Sequence, residues 1–322
     1  MNFPLRPLGR SGCRISPIGL GCWQFSKKNN FAGRFWPLLE DEVILSIVKR
    51  SLDGGINWFD TAELYGDGAS EKSLSSALLG LNKKPVDVTI ATKWWPMFRR
   101  AGSITRTIGK RLEALSPFPI DLYQVHQPYG FSSVPKEMEA MISLVRDNRI
   151  RYVGVSNFNE AQMRRAWETL DKAWIPLVSN QVRYSLLDRK IESNGVLKAA
   201  RELGITVIAY SPLAQGLLSG KFHDRPELIK NAGFRRYRAS FKAAGIGRSR
   251  PVIGLLKELA AKYNVTSSQV ALNWLIHFHG DTVVAIPGAT REQHASENTG
   301  AMDFRLSAED MSALDKISEG FK

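Results

Sequence analysis

Four side chains in this sequence, Asp60, Tyr65, Lys93 and His126, are of the types that together can deliver a proton to an oxygen. A tyrosine near its ordinary pKa of about 10 is a poor acid at neutral pH. A lysine ammonium beside it favours the phenolate and lowers that pKa, while an aspartate keeps the lysine charged and in place. Tyr65 could then protonate a developing alkoxide while His126 hydrogen-bonds the same oxygen and orients a carbonyl. Carbonyl reduction also needs a hydride, which no side chain provides, so a cofactor is implied. Taken singly, each residue has a plainer reading: Asp60 as a helix cap or turn residue, Tyr65 as a half-buried aromatic. No Ser or Cys stands beside a base as an activated nucleophile, and no metal-ligand spacing is present.

The elements that must position these residues alternate along the chain. Residues 56–59 read as a short buried strand bounded by glycines, ending in Asp60 with Tyr65 one tight loop beyond. The spacing is even, 93 − 60 = 33 and 126 − 93 = 33, about one strand-helix unit each. Successive strands would therefore hold Asp60, Lys93 and His126 at one height on one rim, at strand carboxyl ends where parallel α/β sheets keep their chemistry. A turn at Gly9–Gly12 within 3–16 predicts an amino-terminal hairpin. Strands are expected at 18–23, 57–62, 88–94, 121–126, 152–156, 177–184, 206–211 and 282–287. Helices are expected at 41–52, 70–79, 104–115, 134–147, 159–170, 195–203, 252–263, 267–277, 291–302 and from Ser307. Asn159 with Gln162 and Thr266 with Gln269 read as capping boxes. Eight strand-helix units argue a (β/α)8 TIM barrel with an N-terminal β-hairpin and extra C-terminal helices, in a single domain spanning 1–322. A doubly wound sheet is the alternative. It loses ground because Gly19-Leu20-Gly21 lacks the third glycine of a dinucleotide fingerprint.

Composition narrows the class. An apolar share of 43% with 23% charged residues allows a large core. No stretch is long and apolar enough to span a bilayer, and the start Met1-Asn2-Phe3-Pro4 lacks a secretory apolar core. Cys13 and Cys22 give no disulfide framework, so the expectation is a reduced, cytoplasmic protein. The net charge of +13 raises nucleic acid, membrane surfaces and anionic small molecules as partners. Basic residues concentrate at 221–250, from Lys221 through Arg235, Arg236 and Arg238 to Arg250. That run reads as a solvated loop first, an anion-gripping lid second and a nucleic-acid surface a distant third.

The chain resembles the aldo-keto reductases over nearly its whole length. The resemblance rests on Gly55-Ile56-Asn57-Trp58-Phe59-Asp60-Thr61-Ala62-Glu63-Leu64-Tyr65-Gly66, Ala91-Thr92-Lys93, Val153-Gly154-Val155-Ser156-Asn157-Phe158 and Ala209-Tyr210-Ser211-Pro212-Leu213. Ile286-Pro287-Gly288-Ala289-Thr290 and Glu297-Asn298 complete it. It implies NADPH-dependent reduction of an aldehyde or ketone, with Tyr65 as the acid and Asp60, Lys93 and His126 as its partners. It also implies a cofactor groove. Ser156, Asn157 and Gln181 would bind the carboxamide and Tyr210 would stack on the nicotinamide. Ser211, Pro212, Leu213, Gln215, Gly216, Leu217 and Lys221 would follow the pyrophosphate. Thr290 and Arg291 would take the 2′-phosphate, with Pro287, Gly288, His294, Glu297 and Asn298 around them, and Gly21, Cys22, Trp23 and Asp60 would line the near side. Many members carry lysine where this chain has Gly288 and arginine where it has His294, which weakens the preference for NADP over NAD; Arg291 partly restores it. Glycine there is familiar in the multimeric and bacterial-type branches, which are related to channel-associated members.

Trp23, Phe25, Trp36, Trp94, Trp95 and Tyr129 fall near strand ends and could form an aromatic pocket; Trp23 and Trp94 are expected as its walls beside Tyr65 and His126, with Trp36 a weaker candidate, and Cys22 reads as a buried, inert thiol. The aromatic rim suggests an apolar carbonyl substrate and the basic run an anionic one, and the sequence leaves both open. A cofactor-binding regulatory or scaffold subunit on the same fold is the alternative to an enzyme. Oligomeric state stays open too, a homo-oligomer being compatible with a barrel's outer helices.

Overall fold

A computed structural model describes residues 3–27, 30–31 and 35–322. Met1 and Asn2, which open the sequence, lie outside the described residues. Strands β1 (Arg6–Pro7) and β2 (Arg14–Ile15) form the expected antiparallel hairpin. It is tied to the barrel by Arg6, whose guanidinium donates to the Val283 carbonyl at 2.6 Å. Leu8 and Ile15 then join Trp58, Ala91, Leu122, Val178, Ile208 and Val284 in one apolar cluster. The hairpin therefore plugs the barrel from below.

Eight parallel strands follow in sequence order: β3 (Leu20–Gly21), β4 (Trp58–Asp60), β5 (Thr89–Trp94), β6 (Leu122–Val125), β7 (Tyr152–Ser156), β8 (Leu177–Arg183), β9 (Thr206–Tyr210) and β10 (Val283–Ala285). Parallel bridges from Ile18 to Ala285 and from Gly21 to Gly288 bring the two ends of the sheet together, giving the (β/α)8 fold. Gly19 is required at this seam. A Cβ there would sit 2.3 Å from the Trp58 indole, whose N–H donates to Ser16 O at 2.9 Å.

Helices α1 (Asp41–Asp53), α2 (Ala69–Gly80), α3 (Gly102–Leu115), α4 (Val134–Arg146), α5 (Glu160–Asp171) and α6 (Val196–Leu203) cover the sheet in alternation. A four-residue helix α7 (Lys221–Asp224) opens the long segment after β9. Then come α8 (Ala243–Tyr263), α9 (Ser267–Phe278), α10 (Glu292–Gly300) and α11 (Ala308–Ile317). Both expected capping boxes, at Asn159 and Thr266, are formed. Helix α8 starts well before the expected residue 252, because Gly245, Gly247 and Pro251 break the apolar pattern without breaking the helix.

Strand periodicity of two decides which side chains reach the site. On β4, Trp58 and Asp60 point into the barrel and Phe59 into the helix-facing core. On β5, Ala91 and Lys93 point inward, and Trp94 points outward with Ile90. This corrects one expectation. Trp94 is not a pocket wall: it is fully buried under α3, with its indole N–H donating to Ser103 Oγ at 3.0 Å.

Candidate active site

The rim is assembled around the Asp60 carboxylate. Its Oδ1 accepts from Lys93 Nζ, and its Oδ2 accepts from Gln181 Nε2 at 2.8 Å and Gln124 Nε2 at 3.2 Å. Lys93 donates again to Thr61 O at 2.8 Å. Both charged groups are buried, so the pair persists because further hydrogen bonds support it: three reach the Asp60 carboxylate and two leave the Lys93 ammonium. Burial nevertheless pushes Lys93 below its ordinary value, with Asp60 opposing that push. In register Asp60 faces Ala91 and Lys93 faces Gln124, so the 33-residue spacing builds a staircase of tilted strands rather than a level ring.

Tyr65 lies above this pair, with Lys93 Nζ 5.1 Å from its ring centroid. Its ring stacks on Trp23 at 5.8 Å and meets His126 edge-on at 5.7 Å. Trp95 closes on the other side of His126, 5.2 Å from it. Burial drives the Tyr65 phenol well above its ordinary value, and the Asp60 charge adds to that. The sequence expectation was a phenol lowered by lysine. Here Asp60 screens the lysine, and the dry setting holds Tyr65 as a neutral phenol that still carries its proton. His126 is pushed well below its ordinary value by burial and then by Lys93, so the imidazole is neutral. A neutral imidazole keeps one N–H to donate, and Nδ1 finds no partner among the described residues.

A cleft of about 690 Å³ opens over these groups and continues along the carboxyl ends of β7 to β10. Ser156 Oγ donates to Gln181 O at 2.9 Å. Asn157, held at φ +60°, donates to Ser156 Oγ at 3.0 Å and accepts from Tyr210 OH at 2.9 Å. Such strained backbone clusters where the surroundings fix it, and Ser211, Ala214 and Gln215 share the feature just beyond. At the far end, Arg291 caps α10 with no side-chain cap of its own, leaving first-turn N–H groups as an anion seat. His294, pushed down to about 4 by burial, accepts from Arg291 Nε at 3.0 Å. Asn298 is buried with its Nδ2 unpaired among the described residues, a group that a ligand base would satisfy.

Of the expected site residues, Gly21, Cys22, Trp23, Asp60, Tyr65, His126, Ser156, Asn157, Gln181, Tyr210, Ser211, Pro212, Leu213, Gln215, Gly216, Lys221, Pro287, Gly288, Thr290, Arg291, His294, Glu297 and Asn298 all line this one cleft. Lys93 lies in its floor beneath Tyr65. Leu217 does not face the cleft; it packs with Phe222, Ala232, Phe241 and Ile246 beneath the basic segment. Cys22 is buried, which raises its thiol well above the ordinary value and leaves it unreactive. Trp95 takes the place expected of Trp94, one residue along the same strand end, and strand alternation counted from Lys93 would have separated the two. Gln24 is a lining residue that the sequence reading passed over. A Cβ at Gly288 would stand 2.2 Å from its amide nitrogen, so Gln24 fills the space beside that glycine. Arg183, Arg225, Arg235 and Arg238 line the cleft as well, without having been singled out for it.

Comparison with known proteins agrees with this geometry. The sequence profile of the Aldo/keto reductase family matches residues 17–319. An uncharacterized oxidoreductase of Mycobacterium tuberculosis (strain ATCC 25618 / H37Rv) is 36% identical over 312 residues, covering 96% of this chain and 91% of the relative. An aldo-keto reductase of Schizosaccharomyces pombe designated for NADP(+) is 28% identical over 319 residues, covering 95% and 89%. Among solved structures, an aldo-keto reductase from Klebsiella pneumoniae in complex with NADPH superposes with a TM-score of 0.75 at 26% identity, covering 99% of this chain and 96% of that one.

Proposed function

The chain belongs to the aldo/keto reductase family and is an NAD(P)H-dependent oxidoreductase; from that premise we propose that it reduces an aldehyde or ketone to the alcohol with NADPH, Tyr65 giving the proton. The observation that carries this reading is the position of Tyr65 over a hydrogen-bonded Asp60–Lys93 pair, in a cleft lined from Tyr65 to Asn298. When bound, NADPH would supply the hydride for the carbonyl carbon. The chain's own residues do the rest. Neutral His126 donates to the carbonyl oxygen and fixes its position. Tyr65 passes its phenolic proton to the same oxygen as charge builds there. Lys93, 5.1 Å from the ring, then holds the phenolate until solvent returns the proton.

The cleft residues fit the cofactor. Asn157 is pinned between Ser156 and Tyr210, which orients its amide toward a carboxamide. The backbone of 211–216 offers turns without large side chains for a pyrophosphate, and Arg291 with the α10 N-terminus offers a 2′-phosphate seat. A carbonyl reductase and a regulatory subunit differ in turnover, not in this binding. Tryptophan fluorescence titration with NADPH and NADH tests the cofactor assignment. Tighter binding of NADPH is expected, reduced roughly tenfold or more in Arg291→Ala while NADH changes little. Equal affinities that ignore the substitution would remove NADPH from the proposal.

A further inference from the structure

The basic residues of the cleft outnumber what the cofactor can neutralise. Arg183, Lys221, Arg225, Arg235, Arg238 and Arg291 line it, against Glu297 and an Asp60 already tied to Lys93. NADPH carries roughly four negative charges, two on its pyrophosphate and up to two on its 2′-phosphate. Four of the six cations gather at that end. Lys221 feels the charges of Arg235, Arg291 and Arg225. Arg235 also donates to Gln215 O at 3.1 Å, on the turn after β9.

Arg183 and Arg238 are left over, and both stand at the chemical end. Arg183 lies 5.8 Å over the Tyr210 ring. Arg238 lies 5.8 Å over Phe35, Phe35 stacks on Trp23 at 4.7 Å, and Trp23 stacks on Tyr65. Burial weighs most on the Arg238 charge, and repulsion from the Arg183 guanidinium adds to it. Arg183 is paired loosely, with Asp188 at 3.9 Å, and no carboxylate pairs with Arg238 among the described residues. Two neighbouring, partly desolvated cations that share one distant acid are unfavourable unless an anion joins them.

Resting on the reductase reading, we propose that Arg183 and Arg238 grip an anionic group on the substrate, so that the enzyme's carbonyl substrates are aldehydes or ketones carrying a carboxylate or comparable anion. Trp23, Trp36 and Trp95 enclose the carbon skeleton between the anion and the reacting carbonyl. An aromatic wall and a basic mouth are thus two parts of one recognition scheme, and the opposed expectations from sequence are reconciled.

The test compares 4-carboxybenzaldehyde with its neutral isostere methyl 4-formylbenzoate, following NADPH oxidation. The acid should be preferred in kcat/KM. Arg238→Ala and Arg183→Ala should each lower kcat/KM for the acid by on the order of ten- to a hundredfold, mainly through KM. A much smaller change for the ester, an unchanged Kd for NADPH and partial rescue by Arg238→Lys are expected alongside. Equal losses on acid and ester, or a weakened NADPH complex, would overturn the assignment and leave the reductase reading standing. If neither aldehyde turns over while NADPH binds, the reductase reading fails instead. Anion recognition is then read by fluorescence titration of the NADP+ complex with 4-(hydroxymethyl)benzoate against its methyl ester. Selective binding of the acid that Arg238→Ala abolishes supports the arginine pair; indifference to the charge overturns it.

Discussion

The Asp60 carboxylate takes three side-chain hydrogen bonds in the barrel floor, from Lys93, Gln181 and Gln124, whereas the Arg238 guanidinium across the same cleft meets no carboxylate among the described residues. The floor stands on strand ends and is dry. The basic segment at 221–250 opens with the short helix α7 and continues in 3₁₀ turns, anchored by a small cluster of Leu217, Phe222, Ala232, Phe241 and Ile246. Over-determined groups keep a proton donor in one geometry; under-compensated charges keep an appetite for an anion. On the reading proposed above, chemistry and selectivity fall to two regions with opposite electrostatic states.

The largest effect that separates them is expected from Asp60→Asn. It strands the Lys93 ammonium in the floor, which should cost about 3–5 kcal/mol in stability. Misplacing Tyr65 should cost roughly a further 10²-fold in kcat. Thermal unfolding and steady-state kinetics on one preparation read both. The Arg183 and Arg238 substitutions should leave the unfolding midpoint near that of the wild-type protein. An Asp60→Asn protein as stable as wild type would erase the distinction between floor and segment.

A smaller effect sharpens the floor itself. Glu71, behind Lys93, accepts from Thr92 Oγ1 at 2.6 Å and lies 2.8 Å from Arg111 Nε, with Glu63 also on Arg111. Burial pushes its carboxyl up to about 7, and Glu137 likewise to about 7. A raised folded-state value gives stability that is present below the ordinary 4.5 and lost as pH rises to about 7. His277 and His294, pushed down to about 4 by burial, act oppositely: their stability is present above the ordinary 6.5 and lost as pH falls. Glu71→Gln removes one descending contribution, so its stability should climb with pH relative to wild type in urea titrations from pH 5 to 7. Parallel curves would show that Glu71 is ionised throughout.

How far the sequence foretold all this follows the same division. Asp60, Tyr65, Lys93 and His126 were legible because short apolar strands ending in polar residues point to one barrel rim. Capping boxes at Asn159 and Thr266 were legible because their partners lie three residues away. Trp94 was misplaced because the choice between it and Trp95 hangs on strand parity, which a run of two tryptophans hides. Arg183 ends β8 two residues after Gln181, so strand parity puts it on the same face and could have found it, whereas Gln24 reaches the cleft against Gly288 and no local pattern marks it. Arg238 was visible only as part of a basic run, since irregular turns carry no periodicity that says where a side chain points. The lowered phenol pKa failed for a physical reason: residue types and strand spacing show neither how dry the pocket is nor how strongly the aspartate offsets the lysine.

The central claim, that Tyr65 is the proton donor of a carbonyl reductase, is tested most directly by Tyr65→Phe. Fluorescence titration gives its affinity for NADPH, and NADPH oxidation in the presence of 4-carboxybenzaldehyde gives its turnover. The account predicts an unchanged Kd with turnover reduced by about 10²–10⁴-fold. Turnover retained at the wild-type rate would contradict it.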